Sequence, residues 1–178
     1  MQVTMICAGL GGQGALTAGK ILLHAGVHKD MKATWFPTYG NEMRGGTALC
    51  NVILSDERIA SPYCDHPDIV MALAESSVDD WMDVMAPGGK LFVNSSLIPE
   101  DKEYRDDIEV IKCPATDIAI GLNSERNANI VMVGKIIKET DFLDIEDVKD
   151  AMCAYFEEEG KGKFNEKNVE VLMAGYNA

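Results

Sequence analysis

Positive charge is what this chain of 178 residues has least of: 16 Lys and Arg stand against 29 Asp and Glu, a formal net charge of −13 at pH 7. A surface that negative repels nucleic-acid phosphates and anionic lipid headgroups, so no nucleic acid and no membrane is expected as a partner. Paired cysteines are missing too. Cys7, Cys50, Cys64, Cys113 and Cys153 are odd in number, widely spaced and without any C-x-x-C pair. That spacing argues against a disulfide framework and against a local zinc or iron–sulfur site. Scattered free thiols suit a reducing cytoplasm. No apolar run approaches 18 residues and no charged leader precedes one, so a soluble cytoplasmic protein is expected. Repeats and low-complexity linkers are likewise missing, and one domain over residues 1–178 follows. The remaining composition, 47% hydrophobic and 25% charged, is that of an ordinary globular protein with one core.

What is present begins with an apolar run over residues 3–8, stopped by Gly9-Leu10-Gly11-Gly12-Gln13-Gly14. The run reads as a buried strand and residues 14–28 as a helix with a broad apolar face. Residues 32–37 read as a second strand, making a βαβ unit with a right-handed crossover and a parallel sheet. Further strands are expected over 47–54, 58–61, 68–72, 90–94 and 108–111, with a helix over 77–85 between the third and fourth of these. Then the character changes. A short helix over 115–121 precedes an apolar, buried one over 127–138. Asp144 is placed as the N-cap of a helix to residue 158, and a last helix runs over 165–174. The alternation predicts an α/β fold of three layers, a mainly parallel twisted sheet flanked by helices, Rossmann-like.

Gly9, Gly11 and Gly14 satisfy G-x-G-x-x-G, a weak signal alone. Dinucleotide binding needs an acid at the end of the second strand to hold the ribose. That strand ends in Phe36-Pro37-Thr38, with the nearest acid, Asp30, before it. A P-loop match over Gly14-Ala15-Leu16-Thr17-Ala18-Gly19-Lys20 fails as well, because Ile21 stands where magnesium needs a hydroxyl. A tight strand-to-helix turn accounts for two glycines. The crowding of Gly11, Gly12 and Gly14 around Gln13 is better explained by close backbone approach to an anion or a partner. A second loop, Tyr39-Gly40-Asn41-Glu42-Met43-Arg44-Gly45-Gly46, alternates polar groups with glycines. In open α/β sheets, loops at carboxyl strand ends border the ligand crevice. There Arg44 is placed to fork onto a phosphate or carboxylate and Glu42 to pair with it. His24 and His28 share a helix face but lack a third ligand, so no metal site is assigned.

The ordered set of the Gly-Gly-Gln-Gly turn, Pro37 to Ala48, Val52-Ile53, Ile59-Ala60-Ser61-Pro62 and the later Asn129-Ile130-Val131-Met132-Val133-Gly134 resembles the gamma subunit of 2-oxoacid:ferredoxin oxidoreductases. The resemblance covers nearly the whole chain. Its wording is most similar to the 2-oxoglutarate or branched-chain members, with pyruvate and indolepyruvate members still open. It implies a non-autonomous subunit of an enzyme converting a 2-oxoacid and coenzyme A into acyl-CoA and carbon dioxide while reducing ferredoxin. It further implies that thiamine diphosphate, magnesium and iron–sulfur clusters sit on partner alpha, beta and delta chains, and that this chain alone binds no cofactor. Gly9, Gly11, Gly12, Gln13, Gly14, Tyr39, Glu42, Arg44, Gly45 and Gly46 are then candidates for the wall of the coenzyme A site. A homodimer of the isolated chain is a further expectation. The competing reading is a free-standing Rossmann-type protein that binds a nucleotide or small anion.

Overall fold

Strand β1 (Gln2–Leu10) is buried over Met5, Ile6, Cys7 and Ala8 because it lies inside a six-stranded sheet of order β2-β3-β1-β4-β5-β6. A strand covered on both faces reads as a continuous apolar run, with no polar face to alternate. The computed structural model describes residues 1–39 and 46–178. Its other strands are β2 (Lys32–Tyr39), β3 (Thr47–Ser55), β4 (Ile69–Ala72), β5 (Lys90–Asn94) and β6 (Glu109–Cys113). Helices are α1 (Ala15–His28), α2 (Glu75–Trp81), α3 (Ala115–Gly121), α4 (Ala128–Lys138), α5 (Ile145–Glu158) and α6 (Asn165–Tyr176). Met5 and Cys7 face the larger cluster, with Ile21, Leu22, Met132, Met152 and Leu172 from the helices. Ile6 and Ala8 face the smaller one, with Val78, Met85 and Ile98. The expected three layers are present, one thick and one thin.

Five strands point the same way and β3 runs against them. The expected βαβ unit is therefore split: β1 and β2 are parallel, but β3 lies between them. The reason is chain length. Residues 40–46 separate β2 from β3, too few for the crossover that a parallel neighbour requires, so the two must pair as a hairpin. The resulting register sets Leu10 opposite Thr47 and Tyr39 opposite Ala48. Residue 46 is thereby brought to the edge where β1, β4, β5 and β6 end.

Smaller departures have local causes. No strand forms over residues 58–61, which run as irregular chain leading to Cys64. There Asn51, buried in β3, accepts the Cys64 N–H at 3.0 Å. Helix α2 stops at Trp81 and tightens into a 3₁₀ turn, Met82–Val84. Asp144 holds the cap position of α5 without a side-chain cap bond; its carboxylate lies 3.8 Å from Lys29. Helices α4 and α6 lie side by side in the same direction. A β-carbon at Gly134 would strike the Leu172 carbonyl, and one at Gly175 the Val131 carbonyl.

Candidate anion site at the carboxyl edge of the sheet

Between β1 and α1 the backbone turns sharply, and each contact in the turn has a clear role. Gly12 and Gly14 hold φ of 97° and 79°, left-handed values that cost other L-residues roughly 1–2 kcal/mol. Gln13 clamps the bend from within: its N–H donates to Leu10 at 3.1 Å, and its Oε1 accepts the Leu10 N–H at 2.7 Å. Its Nε2 donates to the Leu73 carbonyl at 3.3 Å. Gly9 is buried, and a β-carbon there would lie 2.8 Å from Gln13 Oε1 and 3.0 Å from Leu73 Cβ. Outside the bend, Gly11 N–H donates to the Gly46 carbonyl at 2.8 Å. The two glycine segments of the sequence thus meet.

Asn129, two residues into α4 and buried, closes the inner side. Its Nδ2 donates to Gly14 O at 3.0 Å, while its Oδ1 is buried with no partner among the described residues. A second asparagine braces the neighbouring strand end. Asn94 Nδ2 donates to Leu73 O at 3.4 Å and to Thr116 Oγ1 at 2.9 Å, and its Oδ1 accepts the Thr116 N–H at 3.3 Å. Neither asparagine was identifiable as a site residue from sequence, because their partners lie 115 and 21–22 residues away. Asparagine at the start of an otherwise apolar helix was the available signal.

Gly11 and Gly12 face solvent. Among the described residues no acceptor meets the N–H groups of Gly12, Gly14, Ala15 or Leu16. The first turn of α1 carries no acid and no side-chain cap. Open amides at a helix start favour an anion. Tyr39 ends β2, its side chain lying outside the description, and Glu42, Arg44 and Gly45 fall outside the described residues. Within residues 9–14 nothing titrates, so the bend itself can bind and orient but supplies no acid, base or nucleophile.

The thiols are equally quiet. Cys7 is raised well above the usual range by a hydrogen bond with Cys50, its cross-strand neighbour, and by burial. Burial also pushes Cys64 and Cys113 to about 11. These thiols stay protonated at neutral pH and are poor nucleophiles. His24 stacks on Tyr155 with centroids 5.0 Å apart, and no group of three or more metal-binding side chains occurs among the described residues. No helix is long and apolar enough to cross a membrane.

The sequence profile of the pyruvate ferredoxin/flavodoxin oxidoreductase family matches residues 4–178. Over 175 residues the chain is 35% identical to the ketoisovalerate oxidoreductase subunit VorA of Methanothermobacter thermautotrophicus, covering 98% of this chain and 36% of that protein. The chain thus spans about a third of that relative's length. Over 171 residues it is 34% identical to the 2-oxoglutarate synthase subunit KorC of Methanocaldococcus jannaschii, covering 95% of this chain and 89% of the other. The gamma subunit of the keto/oxoacid ferredoxin oxidoreductase of Geobacter sulfurreducens superposes with a TM-score of 0.82 at 25% identity, covering 98% and 96% of the two chains. The 2-oxoglutarate:ferredoxin oxidoreductase of Magnetococcus marinus, solved with 2-oxoglutarate, coenzyme A and succinyl-CoA bound, shares the fold. Its TM-score is 0.84 at 20% identity, covering 98% of this chain and 31% of the other.

Proposed function

This chain belongs to the pyruvate ferredoxin/flavodoxin oxidoreductase family, and from that premise we propose that it is the gamma subunit of a coenzyme A-acylating 2-oxoacid:ferredoxin oxidoreductase. The complex cleaves the bond between the carboxylate and the carbonyl carbon of the 2-oxoacid and releases carbon dioxide. The electron pair left behind passes to ferredoxin as the acyl group joins the coenzyme A sulfur. By this reading thiamine diphosphate, magnesium and iron–sulfur clusters belong to alpha, beta and delta partners, and the assembly works in the cytoplasm. This chain completes the enzyme and supplies part of the coenzyme A wall. We take 2-oxoglutarate as the substrate, because the 2-oxoglutarate synthase subunit compared above matches this chain over most of its own length.

One observation carries the proposal: the Gly11–Gly46 hydrogen bond joins two glycine segments into an exposed rim, beside which the amides of Gly12, Gly14, Ala15 and Leu16 meet no acceptor among the described residues. A diphosphate is a fitting occupant, since it presents several acceptor oxygens and negative charge to N–H donors at a helix start. The chain's role is then positional. It holds the nucleotide end of coenzyme A so that the thiol reaches chemistry performed on its partners.

The test is a Gly12→Val variant in the assembled complex. Displacing one charge-assisted hydrogen bond costs about 1.5–3 kcal/mol, which raises the coenzyme A KM roughly tenfold to a hundredfold. The 2-oxoacid KM stays unchanged. An unaltered coenzyme A KM in an intact complex overturns the assignment.

A further inference from the structure

Past Asn129, which ties the start of α4 to Gly14, the helical layer has a different construction. Helices α4 and α6 run in step: Asn127 meets Asn168 at 3.1 Å at one end, and Lys135 Nζ meets the Ala178 carbonyl at 2.9 Å at the other. Two parallel helices point both positive ends the same way. At the carboxyl ends Lys135 and Lys138 answer the negative poles. At the amino ends acids are few among the described residues: Glu125 precedes α4 and Glu166 opens α6. Neither start has a side-chain cap; α4 has no acid in its first turn, and α6 has only Glu166.

Into that gap opens a cavity of about 700 Å³ between the start of α4 and the α5–α6 turn. Arg126, Lys161 and Lys167 line it, with Glu125 the single carboxylate among the described lining residues. Lys167 pairs with Glu170 at 2.7 Å, whereas Arg126 and Lys161 form no ion pair among the described residues. In a chain with 16 cations and 29 acids, such a gathering of positive charge runs against the average. The floor is Asn168, 4% exposed. Its Oδ1 is taken by Asn127, and its Nδ2 finds no acceptor among the described residues. Amide donors on the cavity floor, with Arg126 and Lys161 at its rim, are what an anion would engage. Phe164, half exposed, adds an apolar wall.

We propose that this basin binds a phosphorylated small molecule, its phosphoryl oxygens on Asn168 Nδ2 and on Arg126 and Lys161. Phosphoryl rather than carboxylate chemistry follows from the charge: two helix starts and the two cations without an ion pair among the described residues, Arg126 and Lys161, answer a group carrying close to two negative charges. None of the lining residues belongs to the glycine bend, so the inference stands apart from the coenzyme A reading.

The full chain would be titrated with inorganic pyrophosphate and, separately, with succinate, following the Asn168 side-chain amide by NMR. Pyrophosphate is expected to shift the Asn168, Arg126 and Lys161 signals, with affinity falling about tenfold or more in an Arg126→Gln/Lys161→Gln variant. That variant alters only exposed side chains and keeps the fold. Equal response to succinate overturns the phosphoryl assignment. Shifts confined to residues 10–16, or none at millimolar pyrophosphate, overturn the site itself.

Discussion

Two corners of this molecule offer positive potential, and they are built in opposite ways. The bend over residues 9–14 uses backbone amides alone, held open by two left-handed glycines and one glutamine clamp. The basin between α4 and α6 uses side chains, gathered from residues 123–127 and 156–168. Backbone donors cannot titrate and are fixed by the fold, so they suit a ligand that must be placed accurately. Lysines and an arginine on exposed turns hold charge without rigid geometry, and their attraction is screened by salt. The contrast sets donors fixed by the backbone against charge carried on exposed side chains. Asn129 stands between the two, rooted in α4 while its amide holds Gly14.

The sharpest break in this comparison is Gly175→Val. The new side chain would meet the Val131 backbone, which cannot swing aside as a side-chain tip can. Overpacking of this kind costs about 3 kcal/mol, read as a lower urea midpoint, and it spreads α4 from α6 so that the basin is lost. Unchanged stability would mean that the helices are not in step as described. Next in size is Asn129→Ala, which removes the only side-chain hydrogen bond to Gly14 among the described residues. A loss of about 1–2 kcal/mol is expected, with weaker binding at the bend; an effect confined to stability would deny Asn129 its linking role. Gly12→Ala sharpens the contrast from the other side. Open space surrounds that position, so only the φ penalty of roughly 1–2 kcal/mol applies, and the basin should bind pyrophosphate as before.

Smallest of all is Glu139→Gln at the far end of α4. The Lys135 ammonium holds the Glu139 carboxyl below its usual range. A lowered folded value means that the stabilisation is fully present above the ordinary carboxylate pKa, near 4.3. It is lost as pH falls through the lower folded value. Because the pair is partly exposed, at most about 1 kcal/mol is at stake. Stability curves of the two proteins against pH should converge on the acid side; a constant gap would refute the pairing.

Much of the architecture was legible in the residues. Strand β5 falls where the Lys90 to Asn94 pattern places it, and α3 likewise over Ala115–Gly121. Helix α4 was visible as an unbroken apolar segment because it is buried among α1, α3 and α6. The misplaced strand over 58–61 shows the limit. Ile59 and Ala60 suit a strand, yet the chain runs irregularly to Cys64, whose N–H donates to the buried Asn51 side chain. Of the candidate site, the glycine bend was legible because left-handed backbone demands glycine at set positions. The clamp of Gln13 on Leu73 was hidden, 60 residues away.

By itself, then, the order of residues determined which segments are extended or helical, where the first turn opens its amides, and how acidic the surface is. All three depend on neighbours within a few positions or on simple totals. Only the tertiary structure decided that β3 separates β1 from β2 and carries the Gly46 carbonyl to Gly11. It alone set α4 beside α6 in the same direction, bringing Arg126 and Lys161 to one basin from 35 positions apart. Hydrophobic burial draws those helices together without regard to the charges they carry, and the convergence exists only once the core has packed.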